Sequence, residues 1–568
     1  MMHSVTIGVV GAGGDGVVVL GGLLQRLAAA QGYYSQMSRH YGPQIRGGGS
    51  AVKLGLDSER FSMPQDDLDI LICFAWDKYW EFEQELPMKA ETLVVYEQTV
   101  PQGISLPRES FRIDFTERSK SITGSTMDKN IVALGMVNRV LGIARDGVAE
   151  AIEKDEELRL LRKRLAALEE GERIMIDLSL PQRELQTAKD QSPKIVLHGN
   201  SAVARGALRA GCTAFFGYPI TPAAEIMEEM QRKLSSEGAS YLQAEDEITS
   251  TNMLLGASLA GIKAMTSTSG PGLDLMTETL GLASNAEIPM VVVDVQRCGP
   301  STGIPSKSEQ SDLNHAIYGS HGEAPRVVIA PYDVSSCHRL TIESFNIAER
   351  FQTPVILLSD QWLGQTLFAI DDFMNSDFLI QDRIRPSPKD SNGYLRYKLT
   401  NDYISPMSNA GDEGFVYQTS GLTHDEMGAP SFDAATHQLL HEKRWNKLLP
   451  LRERDDLVHL FGKDGSEIGI VSWGSSASFI QETLSDVGLD DRISVCIPQL
   501  LCPLPTKVEE YIGSLQRLLV VEMNYSGQLY HYLRAHVDLP HDTQVYARAG
   551  GRSFSRRELS EPIGRLIQ

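Results

Sequence analysis

Gly217-Tyr218-Pro219-Ile220-Thr221-Pro222, Glu245-Asp246-Glu247 and Thr268-Ser269-Gly270-Pro271-Gly272 are three short stretches that decide how this chain is read. The first and third are turns punctuated by Pro and Gly. Between them, Glu247 opens an apolar helix running to about residue 261. Around them the segment 194–370 alternates strand and helix. Residues 194–197, 290–295 and 354–358 are buried strands, and 199–210 is a helix. That alternation implies a parallel sheet covered on both faces.

The same logic extends in both directions. Residues 5–10, Val-Thr-Ile-Gly-Val-Val, read as a buried parallel strand, and Gly11-Ala12-Gly13-Gly14-Asp15-Gly16 turns it into a helix over 17–30. Further strands are expected at 68–74 and 92–96, and a helix at 130–144. Residues 146–175 carry Leu and Ile at helical spacing among many charges, the pattern of a solvated amphipathic helix. Residues 186–193 look like a linker. Residues 375–450 are polar and irregular, and 466–568 resume the alternation with strands at 468–471, 518–522 and 543–546. The expected fold class is therefore α/β, with three consecutive parallel-sheet domains: a Rossmann-like one at 1–185, a second at 194–375 and a third at 451–568, the last two joined by a long connector at 376–450.

Bulk properties set limits on function. The 568 residues are too many for one hydrophobic core. A net charge of −21 disfavours nucleic acid, because phosphate binding needs a basic face. No apolar run is long enough to span a membrane. The N-terminus runs straight into a strand without a basic, apolar leader, so the expected location is cytoplasmic. The six cysteines, at 73, 212, 298, 337, 496 and 502, form no CxxC pair. That argues against a zinc or iron–sulfur site on this chain and for buried thiols in a reducing compartment.

Each chemical motif has two readings. Gly11–Gly16 matches a dinucleotide fingerprint, but residues 33–40 offer no acid to hold a ribose; tight strand–helix packing, a phosphate-bearing ligand or a subunit contact are the alternatives. Arg46-Gly47-Gly48-Gly49-Ser50 is either an anion-binding nest, to which Arg39 and Arg46 add charge, or a hairpin loop. Glu245, Asp246 and Glu247 are candidates for the acid that thiamine diphosphate requires. The cofactor's aminopyrimidine removes the thiazolium C2 proton only as a tautomer favoured by a buried carboxylate on the far ring nitrogen. Glu247 is best placed, and helix capping is the alternative. Thr221 on its stiff turn either reaches a substrate carboxylate or caps the following helix, or both. Arg297 follows a buried strand and precedes Gly299-Pro300-Ser301-Thr302-Gly303. It is either a bidentate carboxylate ligand or half of an internal ion pair.

Taken together, these motifs resemble the 2-oxoacid:ferredoxin oxidoreductase family, specifically an alpha subunit with a gamma domain fused at its N-terminus. Gly11–Gly16 and Arg46–Ser50 resemble the gamma domain. Tyr218–Pro222, Glu245–Glu247, Thr268–Gly272 and 299–307 resemble the pyrimidine-binding domain. Residues 421–428, 522–529 and 550–555 resemble the rest of the alpha chain, whose last domain is transketolase C-terminal-like. The resemblance implies reversible conversion of a 2-oxoacid, CoA and two oxidised ferredoxins to acyl-CoA, CO2 and two reduced ferredoxins. In its reductive direction this is carbon fixation through the reductive TCA cycle.

The resemblance further implies thiamine diphosphate shared with a beta subunit, which supplies Mg2+ and a [4Fe–4S] cluster, in an (alpha–beta)2 heterotetramer. By position, Glu247 matches the pyrimidine-contacting glutamate; Tyr218, Pro219, Ile220, Ser269 and Gly270 line the cofactor; Thr221 and Arg297 match the residues holding the 1-carboxylate. Arg39, Arg46, Gly47 and Gly48 are expected at a CoA or subunit contact. No metal ligands are expected here. The connector and the 299–307 loop look most like the branch using 2-oxoglutarate; pyruvate, a branched-chain 2-oxoacid and a non-catalytic assembly role are the alternatives.

Overall fold

The computed structural model describes residues 2–42, 48–61, 63–143, 158–237, 239–374 and 376–568. Arg46 and Gly47 lie outside the described residues. The chain divides into two compact units, one of Met1–His198 with Gln365–Asn375, the other of Gly199–Gly364 with Ser376–Gln568.

The first unit is built on an eight-stranded sheet ordered Ser110–Arg112, Met88–Tyr96, Leu68–Cys73, Ser4–Ala12, Gly49–Asp57, Tyr34–Tyr41, Leu367–Ile370, Ile195–Leu197. The first four are parallel, and every later pairing is antiparallel. Ser4–Ala12, expected to be a parallel strand, is thus parallel on one edge only. Its run of Val and Ile records burial on both faces, and burial does not depend on strand direction. Strand Ile195–Leu197, expected to start the second domain, is an edge strand of this sheet. Three residues carry too little pattern to name their partner. Helix Val17–Ala30 follows Gly16, which sits at φ 74°. Helices Lys129–Leu141 and Leu158–Asp177 pack on each other; the second answers to the amphipathic segment expected at 146–175.

The second unit holds two sheets. The larger runs Leu500–Cys502, Val327–Ile329, Pro354–Asp360, Met290–Gln296, Ala264–Thr268, Ala214–Gly217, Ser240–Gln243, parallel except for the first strand. The smaller runs Val458–Gly462, Ser494–Pro498, Ile468–Ser472, Arg517–Glu522, Asp542–Ala547, again with one antiparallel edge. The α/β class read from the sequence holds: three sheets, mostly parallel. Residues 376–450 are mainly turns, as their composition implied, but contain helix Ala434–Asn446, capped by Asp433 Oδ2 accepting from Thr436 N at 2.8 Å.

A buried charge cluster ties this connector down. Glu287, at φ 52° just after helix Gly270–Asn285, accepts from Lys443 Nζ at 2.5 Å and Lys447 Nζ at 2.9 Å. Its carbonyl accepts from Arg396 Nη2 at 2.6 Å. Burial alone would push the Glu287 carboxyl up; the three cations outweigh it and hold it well below the usual range. Burial pushes Lys447 down to about 8 despite the pull of Glu287. Glu287→Gln leaves two buried ammonium groups without their counter-charge, and is expected to cost about 3–5 kcal/mol in denaturant unfolding of the chain. A loss below about 1 kcal/mol would mean the cluster behaves as a solvated surface pair.

Candidate active site

The three acids 245–247 separate into distinct roles. Glu245 is exposed. Asp246 is the N-cap of helix Glu247–Leu259, its Oδ1 accepting from Thr249 N at 2.7 Å. With the cap filled, Glu247 turns inward and is 6 % exposed. Burial pushes its carboxyl up, with a further push from the Asp246 charge and an opposing pull from its own N–H. The carboxyl lies over the first turn of helix Gly270–Asn285, where a Cβ on Gly272 would come within 2.5 Å of Glu247 Oε1 and 2.1 Å of Thr268 Oγ1. Glycine at 272 is therefore a requirement of close approach, not of backbone angle. A buried acid with a raised pKa in a wall cleared by glycine fits the ring-nitrogen partner that thiamine needs.

Tyr218 and Pro219 are exposed, Ile220 is half-buried, and Ser269 is fully buried as the N-cap of helix Gly270–Asn285. Thr221 lies three residues before helix Ala224–Glu237, and its carbonyl accepts from Arg297 Nη1 at 2.6 Å. The structure thus joins Thr221 and Arg297 through the Thr221 backbone, while the Thr221 side chain stays exposed. Arg297 lies just past the carboxyl end of strand Met290–Gln296, the ligand side of a parallel sheet. It is 8 % exposed, and its Nε has no partner among the described residues. It borders a cleft of 330 Å³ with Gly270, Pro271, Asp274, Glu309 and Asp312.

Sequence reading missed Gln310, Asp294 and Asp312. Gln310 Nε2 donates to Trp473 O at 3.0 Å, and its Oε1 accepts from Ser476 Oγ at 2.6 Å and Met523 N at 3.0 Å. The late motifs converge on the same segment. Asn524 Nδ2 donates to Gln310 O at 3.1 Å, Gln528 Nε2 to Ser311 O at 2.7 Å, and Gly551 N to Ser308 O at 3.0 Å. Glu522 accepts from Leu529 N and Tyr530 N at 2.7 and 3.0 Å, so it caps the helix Gln528–His536 that carries Gln528. A carboxylate inside the run Met-Val-Val-Val-Asp-Val was the available signal for Asp294.

In the first unit, Gly13, Gly14, Gly16, Tyr41, Gly48 and Ser50 help line a cleft of 480 Å³. Asp15 folds back, accepting from Ala12 N at 2.7 Å and pairing with Lys129 at 2.7 Å. Strand Gly49–Asp57 stands between Ser4–Ala12 and Tyr34–Tyr41. The strand that follows helix Val17–Ala30 is therefore not the neighbour of Ser4–Ala12, as a dinucleotide ribose site requires. Arg39 Nη2 donates to Gln365 O at 3.0 Å. Among the described residues no group of three His, Cys, Asp or Glu side chains could hold a metal ion, all six cysteines are free, and no helix is long and apolar enough to cross a membrane.

Comparison with known proteins gives a consistent set of relatives. Residues 205–443 match the model for the thiamine diphosphate-binding region of pyruvate flavodoxin/ferredoxin oxidoreductases, and residues 6–174 match a second pyruvate ferredoxin/flavodoxin oxidoreductase model. The 2-oxoglutarate synthase subunit KorA of Methanothermobacter marburgensis is 36 % identical over 378 residues, 65 % of this chain and 97 % of the relative. The alpha subunit of a Sulfolobus 2-oxoacid:ferredoxin oxidoreductase is 28 % identical over 618 residues, 98 % of this chain and 96 % of the relative. The solved 2-oxoglutarate:ferredoxin oxidoreductase of Magnetococcus marinus, with 2-oxoglutarate, coenzyme A and succinyl-CoA bound, superposes with a TM-score of 0.92 at 33 % identity over the whole of both chains. The Gly272 contact yields a direct test. Gly272→Ala should displace the Glu247 carboxyl and weaken thiamine diphosphate binding by about tenfold or more, about 1.4 kcal/mol, as read by titration of intrinsic fluorescence. Because Gly272, Glu247 and Thr268 are all buried, the added methyl also overpacks the site and is expected to cost about 1–3 kcal/mol in unfolding.

Proposed function

The chain belongs to the 2-oxoacid:ferredoxin oxidoreductase family as an alpha subunit with an N-terminal gamma domain, and we propose that it oxidises 2-oxoglutarate, with CoA and two ferredoxins, to succinyl-CoA and CO2. It is an oxidoreductase with a thiamine diphosphate-binding region. The single observation that carries the substrate reading is the whole-length likeness to an enzyme solved with 2-oxoglutarate and succinyl-CoA. We assign the domains as 1–185 gamma, 194–375 pyrimidine-binding and 451–568 C-terminal, with strands 195–197 and 367–370 shared into the first sheet. The expected partner is a beta subunit in an (alpha–beta)2 assembly in the cytoplasm, holding Mg2+ and the iron–sulfur cluster, since among the described residues this chain has no grouped metal ligands.

When bound, thiamine diphosphate supplies the nucleophilic carbon and the electron sink for loss of CO2. Everything else falls to side chains. Glu247 would hold a proton for the far ring nitrogen of a bound pyrimidine, and burial raises its proton affinity toward that role. The Tyr218–Ile220 turn and Ser269–Gly270 wall in the ring. Arg297, anchored by Thr221 O through Nη1, keeps Nε without a partner among the described residues and would present its charge to the 1-carboxylate. Fixing that carboxylate fixes the rotation of the keto carbon. The Thr221 side chain, exposed on the same turn, adds a hydroxyl donor. Arg39, Gly48 and the first-unit cleft are assigned to CoA.

Glu247→Gln keeps the shape and removes the proton carrier, so turnover of the alpha–beta complex should fall by about a thousandfold, roughly 4 kcal/mol, with assembly intact by gel filtration. Near-normal turnover would move the role to another acid. The substrate is tested by assaying the copurified complex on 2-oxoglutarate, pyruvate and branched-chain 2-oxoacids with CoA and a one-electron acceptor; a preference for pyruvate would overturn that part. Arg297→Lys retains charge but loses the planar fork, so KM should rise by about tenfold for every 2-oxoacid turned over. A rise confined to 2-oxoglutarate would instead assign Arg297 to the distal carboxylate.

A further inference from the structure

Asp294 and Asp312 have no part in the chemistry above. Asp294 has no exposed surface, and neither of its oxygens meets a backbone or side-chain N–H or hydroxyl among the described residues. It stands at the carboxyl end of its strand, in register with Thr268 on one side and Leu358 on the other. Asp312 lines the cleft beside Arg297. Its backbone N–H donates to Gln296 Oε1 at 3.0 Å, and its Oδ2, also without such a donor, lies 2.8 Å from the position a Cβ on Gly270 would take. Each carboxyl lies close enough to act on the other. With no N–H or hydroxyl supplied to Asp294 among the described residues, only a proton held by the pair would satisfy these oxygens.

Burial pushes Asp294 well above the carboxylate range, and the Asp312 charge adds to it. Burial also pushes Asp312 up to about 7; Asp274 and Glu309 add to this, while Asp294 and the Arg297 charge oppose it. Titration belongs to the pair. At low pH both carboxyls are neutral, and as pH rises through about 7 the pair takes on one negative charge next to Arg297. The other ionisable groups at this cleft are few. Asp274 comes from helix Gly270–Asn285, with His315 Nε2 of helix Leu313–Tyr318 at 3.5 Å from its Oδ1. Glu309 comes from the segment before Gln310, its carboxyl pushed up by burial, and the Cys298 thiol is pushed up by burial to about 12.

We propose that Asp294 and Asp312 form a proton-gated positioning pair for Arg297. With both carboxyls protonated, the guanidinium charge is fully available to an incoming carboxylate; with one ionised, Asp312 competes for it. An anion at Arg297 raises the proton affinity of the nearby pair, so substrate binding draws one proton from solvent onto Asp312. When the carboxylate leaves as neutral CO2, its charge no longer faces Arg297, and Asp312 releases the same proton and rebalances the guanidinium. The cycle consumes no net proton or electron. This inference rests on the assignment of Arg297 to the 1-carboxylate.

The test uses the alpha–beta complex. The expected sign follows from a folded-site pKa that is higher with substrate than without: affinity is greatest below the free value and declines as pH rises through it. The wild-type KM for 2-oxoglutarate should climb about tenfold between pH 6 and 8, with a smaller change in kcat. Asp312→Asn, a fixed neutral partner, should hold KM low and flat across that range. Asp294→Asn keeps an N–H for Asp312 but lets it ionise alone, so the rise should move to lower pH. Asp274→Asn removes a charge that pushes Asp312 up, so the rise should move to lower pH without being lost. A wild-type rise that persists unchanged in Asp312→Asn overturns the proposal.

A second measurement does not need the variants to fold. Calorimetric titration of the wild-type complex with oxalylglycine, a 2-oxoglutarate mimic whose carbonyl is an amide, in two buffers of different ionisation enthalpy should register proton uptake near pH 7. No uptake also overturns it. If Arg297→Ala leaves KM and oxalylglycine binding unchanged, the fault lies in the Arg297 assignment. If that variant binds weakly while the wild type takes up no proton, only the gating fails.

Discussion

The segment that carries the cleft side of the candidate site has little secondary structure of its own, and it stays in place because of one buried side chain. Gln310 is fully buried, and its amide bonds Trp473, Ser476 and Met523 while its backbone bonds Met523 and Asn524. Those partners follow strands Ile468–Ser472 and Arg517–Glu522 of the five-stranded sheet, Ser476 from the first turn of helix Gly474–Asp486, whereas Arg297 leaves the seven-stranded sheet. One glutamine therefore couples two sheets within the second unit. A buried amide with every partner supplied is stable, and the loss of any partner would leave a polar atom unsatisfied in a dry interior. That asymmetry makes the link exacting. The residues around it are also the ones that the late sequence motifs contain: Glu522, Asn524, Gln528 and the Gly550–Gly551 pair do not point at chemistry but hold the segment that does.

Three buried carboxyls in this unit show how context decides an acid's state. Glu287 is more deeply buried than Glu247, yet stays ionised because Lys443, Lys447 and Arg396 surround it. Glu247 has no such cation, and its burial raises its proton affinity, as a group that must exchange a proton with a ring nitrogen needs. Asp294 lies by another carboxyl, and burial and that charge both push its proton affinity up. Desolvation is common to all three, and the neighbouring charge settles the outcome.

Much of the second unit was legible in the chain. The Tyr218–Pro222 turn, the acids at 245–247 and the Ser269–Gly272 turn each sit at a strand-to-helix junction, and junction residues write strong local signals through Gly, Pro and capping side chains. Capping also explains why Glu247 stood out from its neighbours: Asp246 takes the helix amides, so the next acid is free to turn inward. Strand direction in the first unit was not legible. Ser4–Ala12 has the apolar run of a parallel strand but pairs antiparallel on one edge, and the intervening strand Gly49–Asp57 undoes the dinucleotide reading of Gly11–Gly16.

The sequence by itself determined the α/β class, the family and which acid opens the helix at 247, because periodicity, turn chemistry and caps act over a few residues and need no distant partner. Only the tertiary structure decided that short strands 195–197 and 367–370 close the first sheet, that Arg297 reaches the Thr221 carbonyl across 76 positions, and that Asp294 is buried without an N–H or hydroxyl donor among the described residues. Each of these depends on two segments meeting in three dimensions, and on how much water and charge remain where they meet. Neither quantity is written in the residues of one segment alone.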